Sequence, residues 1–228
     1  MEKMLMEPNV KLISYSKSEE HETIQELIAY CARVSNPANQ SNKETTEKLL
    51  RYLIRHKHWS PFETASICLE ITTTRDIARQ ILRHRSFAFQ EFSQRYANPI
   101  ESLAFVQREA RLQDTKNRQN SIELDFENDT NRILAYQWEN LQNDLINKAT
   151  DIYKWAIDHG IAKEQARSVL PEGLIESRIY MAGTVRSWIH YCQLRCANGT
   201  QKEHMEVARK CAEVISTVFP LMMEIINE

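Results

Sequence analysis

Arginine, histidine, hydroxyl and carboxylate side chains crowd into one fourteen-residue stretch, Arg83-His84-Arg85-Ser86-Phe87-Ala88-Phe89-Gln90-Glu91-Phe92-Ser93-Gln94-Arg95-Tyr96. Arginine grips phosphate well because its planar fork donates two parallel charge-assisted hydrogen bonds. Three arginines with Ser86, Ser93 and Glu91 in so short a span suit a phosphorylated ligand. The glycines sharpen this reading. There are four, Gly160, Gly173, Gly183 and Gly199, too far apart for a Gly-x-Gly-x-x-Gly dinucleotide loop or a Walker phosphate loop. A phosphate bound here must be held by arginines, hydroxyls and helix ends.

The bulk properties set the frame. The chain has 228 residues, 42% hydrophobic and 26% charged, as expected of a soluble globular protein. A formal net charge of -2 makes any anion site local. No apolar run approaches the ~18 residues of a membrane span. The start, Met1-Glu2-Lys3-Met4, lacks a secretory apolar core, so a cytoplasmic protein is expected, with no membrane partner. The five cysteines, Cys31, Cys68, Cys192, Cys196 and Cys211, form no Cys-x-x-Cys pair. They read as core thiols and not as a disulfide or zinc framework.

The elements that must position the stretch follow from periodicity. Residues 11–15 read as a short strand. Residues 19–35 read as a helix through Ile24, Leu27, Ile28, Cys31 and Val34, ended by Ser35-Asn36-Pro37, and residues 44–56 as a second helix. His56 to Pro61 forms a turn. Residues 64–72 alternate, with Ile67, Leu69 and Ile71 on one face, as a half-buried strand does. Thr73 or Thr74 caps a helix over 75–84. Residues 107–131 are polar and read as a mobile or solvated excursion. Helices are expected over 130–158, 162–169, 185–196 and 201–226, the last kinked at Pro220, with a strand over 174–182. The class is α+β: a single domain in which helices dominate and surround a small antiparallel sheet.

On the helix from residue 75, Ile77, Ala78, Ile81 and Leu82 share an arc of about 140°. Arg75, Arg79 and Arg83 stack beside it at i, i+4 spacing, where like charges cost ~0.2–0.5 kcal/mol per pair. In an arbitrary helix this ladder reads as a solvated basic face. Arg85, however, would enter the apolar arc if the helix continued. The helix therefore ends near His84, or a guanidinium is buried and paired. Either outcome places Arg83, His84 and Arg85 at a helix-to-loop junction.

Arg83-His84-Arg85, seven residues, then Ser93 resembles the signature of the flavin-dependent thymidylate synthases. Four further segments resemble that family: His56-x-His58-x-Ser60-Pro61-Phe62-Glu63, Ala78-Arg79-Gln80, Ala166-Arg167-x-x-Leu170-Pro171, and Arg186-Ser187 followed by Leu194-Arg195. The resemblance implies reductive methylation of dUMP to dTMP. Methylenetetrahydrofolate gives the carbon, and NADPH gives reducing equivalents through FAD. It implies dUMP contacts at Gln80, Arg83, Glu91, Phe92, Ser93, Gln94, Arg95, Arg167 and Arg195. It implies FAD contacts at Ser35, His58, Ser60, Glu63, Arg83, His84, Arg85, Gln90, Arg186 and His190. Arg195 would activate the uracil electrostatically with no cysteine nucleophile, and the assembly would be a homotetramer with shared sites. On the residues alone, Arg195 reads as a helix C-terminal cation complementing the dipole.

The sequence departs from the commoner family pattern at Ala88, Gln90, Gln94, His190 and Gly199, which touches particular FAD contacts. Ser93 reads as a phosphate ligand and not a nucleophile, since no base is evident beside it. Two rival classes carry less. A metal hydrolase using His56, His58 and His84 lacks a carboxylate partner, so no metal is expected. A nucleic-acid-binding module fits poorly with near-neutral charge and so small a basic cluster.

Overall fold

The computed structural model describes residues 7–227, so Met1-Glu2-Lys3-Met4 lie outside the described residues. In chain order the regular elements are β1 (Asn9–Tyr15), α1 (Ile24–Ala32), α2 (Thr46–Arg55), β2 (Ser66–Thr74), α3 (Arg75–Ile81), β3 (Ala88–Glu91) and α4 (Pro99–Ser102). They continue with β4 (Arg111–Gln113), β5 (Ser121–Glu123), α5 (Asp129–Asp158), α6 (Lys163–Ala166), β6 (Glu176–Thr184), α7 (Val185–Arg195), α8 (Lys202–Ser216) and α9 (Leu221–Asn227).

Four strands form the main sheet in the order β1-β2-β6-β3, each pair antiparallel. The alternation in β2 is real: Ile67, Leu69 and Ile71 are fully buried, and they lie opposite Gly183, Met181 and Ile179 of β6. These side chains meet α1, α2, α3, α7, α8 and α9 in one core that includes Ile28, Leu50, Ile77, Trp188, Ala208 and Met222. Trp188 buries its ring there, and its indole N–H donates to the Ile67 carbonyl at 3.0 Å. The expected α+β fold, helices around a small antiparallel sheet, is what the chain adopts.

Several boundaries differ, each for a local reason. The first helix spans Ile24–Ala32 and not 19–35, because the Thr23 hydroxyl accepts from the Glu26 N–H at 3.1 Å and so starts it late. Val34 falls beyond the C-cap and is 69% exposed. The arginine helix stops at Ile81. The expected 201–226 helix is two helices, separated at 217–220, because Pro220 cannot continue the hydrogen-bond ladder. Thr74 holds the N-cap position of α3, but its side chain caps nothing. The Arg75 and Asp76 N–H groups instead donate to the carbonyls of Ile175 and Glu172, in the segment leading to β6.

Four elements had no expectation. β4 and β5 make a hairpin inside the polar 107–131 stretch. Short α4 begins at Asn98-Pro99. The important one is β3, because it lies inside the fourteen-residue stretch and pairs with β6 through Ala88↔Ala182 to Glu91↔Ile179. Phe87 seats that strand. It packs edge-on against Trp188 with centroids 4.9 Å apart, over Gly183, where any Cβ would collide with its ring. Gly183→Ala should therefore cost ~1–3 kcal/mol through overpacking. Urea unfolding measures it, and an unchanged midpoint would show that Phe87 yields freely.

Candidate active site

The fourteen residues begin at the C-terminal end of α3, cross a turn, enter the sheet as β3 and leave it at Phe92, whose N–H donates to the Arg178 carbonyl at 2.8 Å. Two kinds of arginine separate here. Arg75 is 6% exposed, with Nη1 3.3 Å from Glu91 Oε1 and Nε 3.1 Å from Glu172 Oε1. Arg79 lies 3.9 Å from Glu91 and 3.7 Å from Glu172. The ladder is thus no solvated basic face at its start; two carboxylates neutralise it, and burial makes that pairing obligatory. Arg83 and Arg85 are exposed and have no carboxylate partner among the described residues. They are cations left over for an anion.

Glu91 Oε1 also accepts from the Ser177 hydroxyl at 2.9 Å. Its second oxygen makes no hydrogen bond among the described residues. Ser93 Oγ accepts from the Arg95 N–H at 3.3 Å, closing a small turn. Gln94 is 3% exposed, and its amide nitrogen is a buried donor without a partner. Buried donors are rarely left so, and this one suits an acceptor from outside the chain. Arg95 reaches Glu164 of α6 at 3.4 Å, and Arg167 caps the C-terminus of that same helix. The structure thereby gathers Glu91, Ser93, Gln94, Arg95 and Arg167 around one loop.

A second group forms where α3, α7 and α8 meet. Arg195, the last residue of α7, donates from Nε to His84 Nε2 at 3.0 Å. His84 must therefore carry its proton on Nδ1. Burial, then the positive charges of Arg195 and Arg83, push its pKa down to about 4, so the ring is neutral. His204 of α8 is fully buried, its pKa pushed down to about 3 by burial, Arg195 and His84. Its ring lies 6.3 Å from that of His84 and 5.9 Å from that of Tyr191, centroid to centroid. Gln80 of α3 bonds both His204 and Gln201. His204 was not picked out by sequence reasoning. The available signal was a histidine on the apolar stripe of α8, with Val207, Ala208 and Cys211.

The third group lies on the first half of α7 and the turn after α2. Arg186 pairs with Glu63, and His190 stands edge-on to Trp59 with centroids 4.7 Å apart. Burial and Arg186 lower the His190 pKa. His58 and Ser60 are exposed in the same turn. Arg186 and Arg195 are nine residues apart on one helix, about 14 Å along its axis. Ser35 is exposed beyond α1 and hydrogen-bonds to none of the other residues, and Gln90 is exposed on β3. His56 and His58 are 6.2 Å apart between centroids and do not converge with His84. Burial raises the thiol pKa of Cys68, Cys192, Cys196 and Cys211, the reverse of what nucleophilic activation needs.

The family described as thymidylate synthase complementing protein matches residues 11–221 of the chain. The chain belongs to this family. It is 51% identical over 214 residues to the probable flavin-dependent thymidylate synthase of Paramecium bursaria Chlorella virus 1, covering 93% of this chain and 95% of that protein. It is 49% identical over 221 residues to the flavin-dependent thymidylate synthase of Synechocystis sp., covering 93% and 96%. Among solved structures it resembles the UMP/dUMP methylase PolB from Streptomyces cacaoi bound with 5-Br dUMP, with a TM-score of 0.81, 25% identity, and coverage of 99% of this chain and 96% of that one. Among the described residues no three His, Cys, Asp or Glu side chains are grouped to hold a metal, and no helix is long and apolar enough to cross a membrane.

Buried neutral imidazoles make the fold sensitive to acid. Unfolded, His84 and His204 take a proton near pH 6.5; folded, only near 4 and 3. Between those values the unfolded chain holds more protons, so stability is fully present above about pH 6.5 and falls as pH drops through the folded values. Thermal unfolding between about pH 7 and 5, where most carboxylates stay ionised in both states, should show Tm declining with acid. A flat Tm would mean that these rings are already protonated in the folded chain.

Proposed function

We propose that residues 1–228 form a single flavin-dependent thymidylate synthase domain that methylates dUMP reductively to dTMP. The carbon comes from 5,10-methylenetetrahydrofolate, and the reducing equivalents come from NADPH by way of FAD. One observation carries this reading: Arg195 is anchored through Nε to a neutral histidine, which leaves its terminal nitrogens free.

Uracil C5 is a weak nucleophile, and attack on it needs negative charge accommodated on the ring. A fixed guanidinium in a half-buried site stabilises that charge without reorganising. His84 holds the guanidinium and, being neutral, adds no competing charge. The raised thiol pKa values disfavour the alternative of cysteine attack on the ring. For dUMP, Ser93, Arg95 and Arg167 suit the phosphate, the free oxygen of Glu91 suits a ribose hydroxyl, and Gln80, Arg83, Phe92 and Gln94 complete the surround.

FAD fits the remaining donors. Its pyrophosphate needs cations, and the chain has no glycine loop to replace them, whereas Arg83 and Arg85 are exposed and uncommitted. With His84, Gln90, Ser35, His58, Ser60, Glu63, Arg186 and His190 these would hold the cofactor. When bound, FAD supplies the carrier between NADPH and the transferred carbon. Arg186 is the weaker element of this set, because Glu63 already neutralises it.

A homotetramer completes the reading. Leu134, Trp138, Leu141, Leu145, Ile152 and Trp155 follow one another along α5 at spacings of four, three, four, seven and three, Lys148 taking the skipped position, and all six are 38–62% exposed. That is a heptad seam awaiting another helix, and a second copy of α5 is its natural occupant. It also explains how 228 residues could cover FAD, dUMP and folate, by sharing each site between subunits. Light scattering during size exclusion should give four times the 26.8 kDa chain mass; a monomer would defeat the shared-site arrangement.

The activity itself is tested by NADPH oxidation that depends on dUMP, with and without methylenetetrahydrofolate. Arg195→Ala should retain bound flavin, seen as a yellow protein, yet lose methyl transfer by ~100-fold or more, the scale for removing one preorganised electrostatic stabiliser. Unchanged turnover would refute the role given to Arg195.

A further inference from the structure

Glu203, the second residue of α8, is 9% exposed and faces Arg108 and Arg111. Burial opposes its ionisation, but the two arginines and its backbone and Gln201 hydrogen bonds outweigh that and hold the carboxyl below its usual range. Glu203 is therefore a carboxylate and can only accept. That single fact fixes the polarity of a chain of bonds. Gln201 must turn its nitrogen to Glu203, at 2.9 Å, and hence its oxygen to Gln80. Gln80 then donates from Nε2 to Gln201 Oε1 at 2.8 Å, which turns its own oxygen to His204, whose Nδ1 lies 3.2 Å away. His204 must carry its proton on Nδ1 and donate. Its Nε2 becomes a bare lone pair, fully buried and unpartnered, as is the Tyr191 hydroxyl, whose ring lies 5.9 Å from that of His204 between centroids.

A histidine burying an unsatisfied nitrogen is a poor packing choice, since an apolar side chain would avoid the penalty of an orphaned polar group. Its useful act is the Nδ1–H bond. The two ends of a glutamine amide have nearly the same shape, so only neighbours decide which way it faces. An amide fixed in one sense still offers one N–H and one carbonyl lone pair. That pair matches an imide edge, which presents a carbonyl next to an N–H, and would meet the flipped amide with like against like.

We propose that His204 is a positioning residue for nucleotide recognition, which fixes the orientation of the Gln80 amide so that it can read the imide edge of a pyrimidine base. This rests on the assignment of Gln80 to the dUMP site made above. The relay through Gln201 and Glu203 holds the amide from its other end.

The test is steady-state kinetics of the flavin-loaded protein with dUMP as the varied substrate. His204→Leu fills the space without a donor. It should raise KM for dUMP about tenfold, with kcat within about threefold, the cost of one neutral hydrogen bond. His204→Asn replaces the Nδ1–H donor with an amide and should return KM to within about threefold of wild type. In Gln80→Ala, adding His204→Leu should bring no further loss, because the residue to be oriented is gone. A folded His204→Leu with wild-type KM overturns the proposal, as does an Asn variant no better than Leu, or effects of the two sites that multiply. If His204→Leu fails to fold, the exposed Gln201→Ala serves instead: KM raised about threefold supports the relay, and an unchanged KM overturns it. A wild-type protein that does not turn over dUMP overturns the synthase reading itself, and this proposal with it.

Discussion

The ion pair between Arg75 and Glu91 is the constraint on which the site depends. Arg75 opens α3 and Glu91 ends β3, so their contact closes the segment that contains Arg83, His84 and Arg85 and fixes the point from which Ser93 and Arg95 continue. Burial raises the stakes, because removing either partner would leave the other as an uncompensated charge, at a cost of several kcal/mol. Ser177 and Glu172 add further bonds from the segments around β6. The helix start, the strand end and the central strand are thereby locked in one arrangement. Within that frame Phe87 over Gly183 sets the depth of the loop.

Charge bookkeeping then divides the arginines by role. Arg75, Arg79, Arg108, Arg111 and Arg186 face carboxylates and serve the architecture first. Arg83, Arg85, Arg167 and Arg195 face none among the described residues. The second set marks where negative charge from outside the chain can be received.

Around Arg195 the environment is built from neutral groups. His84, His204 and Tyr191 are all held in their uncharged forms by burial, with Arg195 further disfavouring protonation of the two rings. A guanidinium among acceptors that carry no charge keeps its full field for a ligand. Had a carboxylate stood where His84 stands, the same hydrogen bond would have cancelled the charge that the site requires.

How much of this was legible depended on the range of the interaction. Alternation in Ile67, Leu69 and Ile71 and the helical spacing of α1, α2 and α7 are local patterns, so the sequence by itself determined the fold class, the buried faces and the segments that hold the site. It also determined the chemistry, since Arg83-His84-Arg85 and Ser93 are readable as types and spacings. Tertiary structure alone decided which arginines were free. Arg75 and Arg83 look alike on a helix, and only Glu91 and Glu172, 16 and 97 residues away from Arg75, distinguish them. It likewise decided that Ala88–Glu91 would be a strand, because four residues become one only when β6 offers an edge. His204 was invisible for the same reason: its hydrogen-bond partner Gln80 and its packing neighbour Tyr191 lie on other helices, and a buried histidine takes its meaning from the groups that face it.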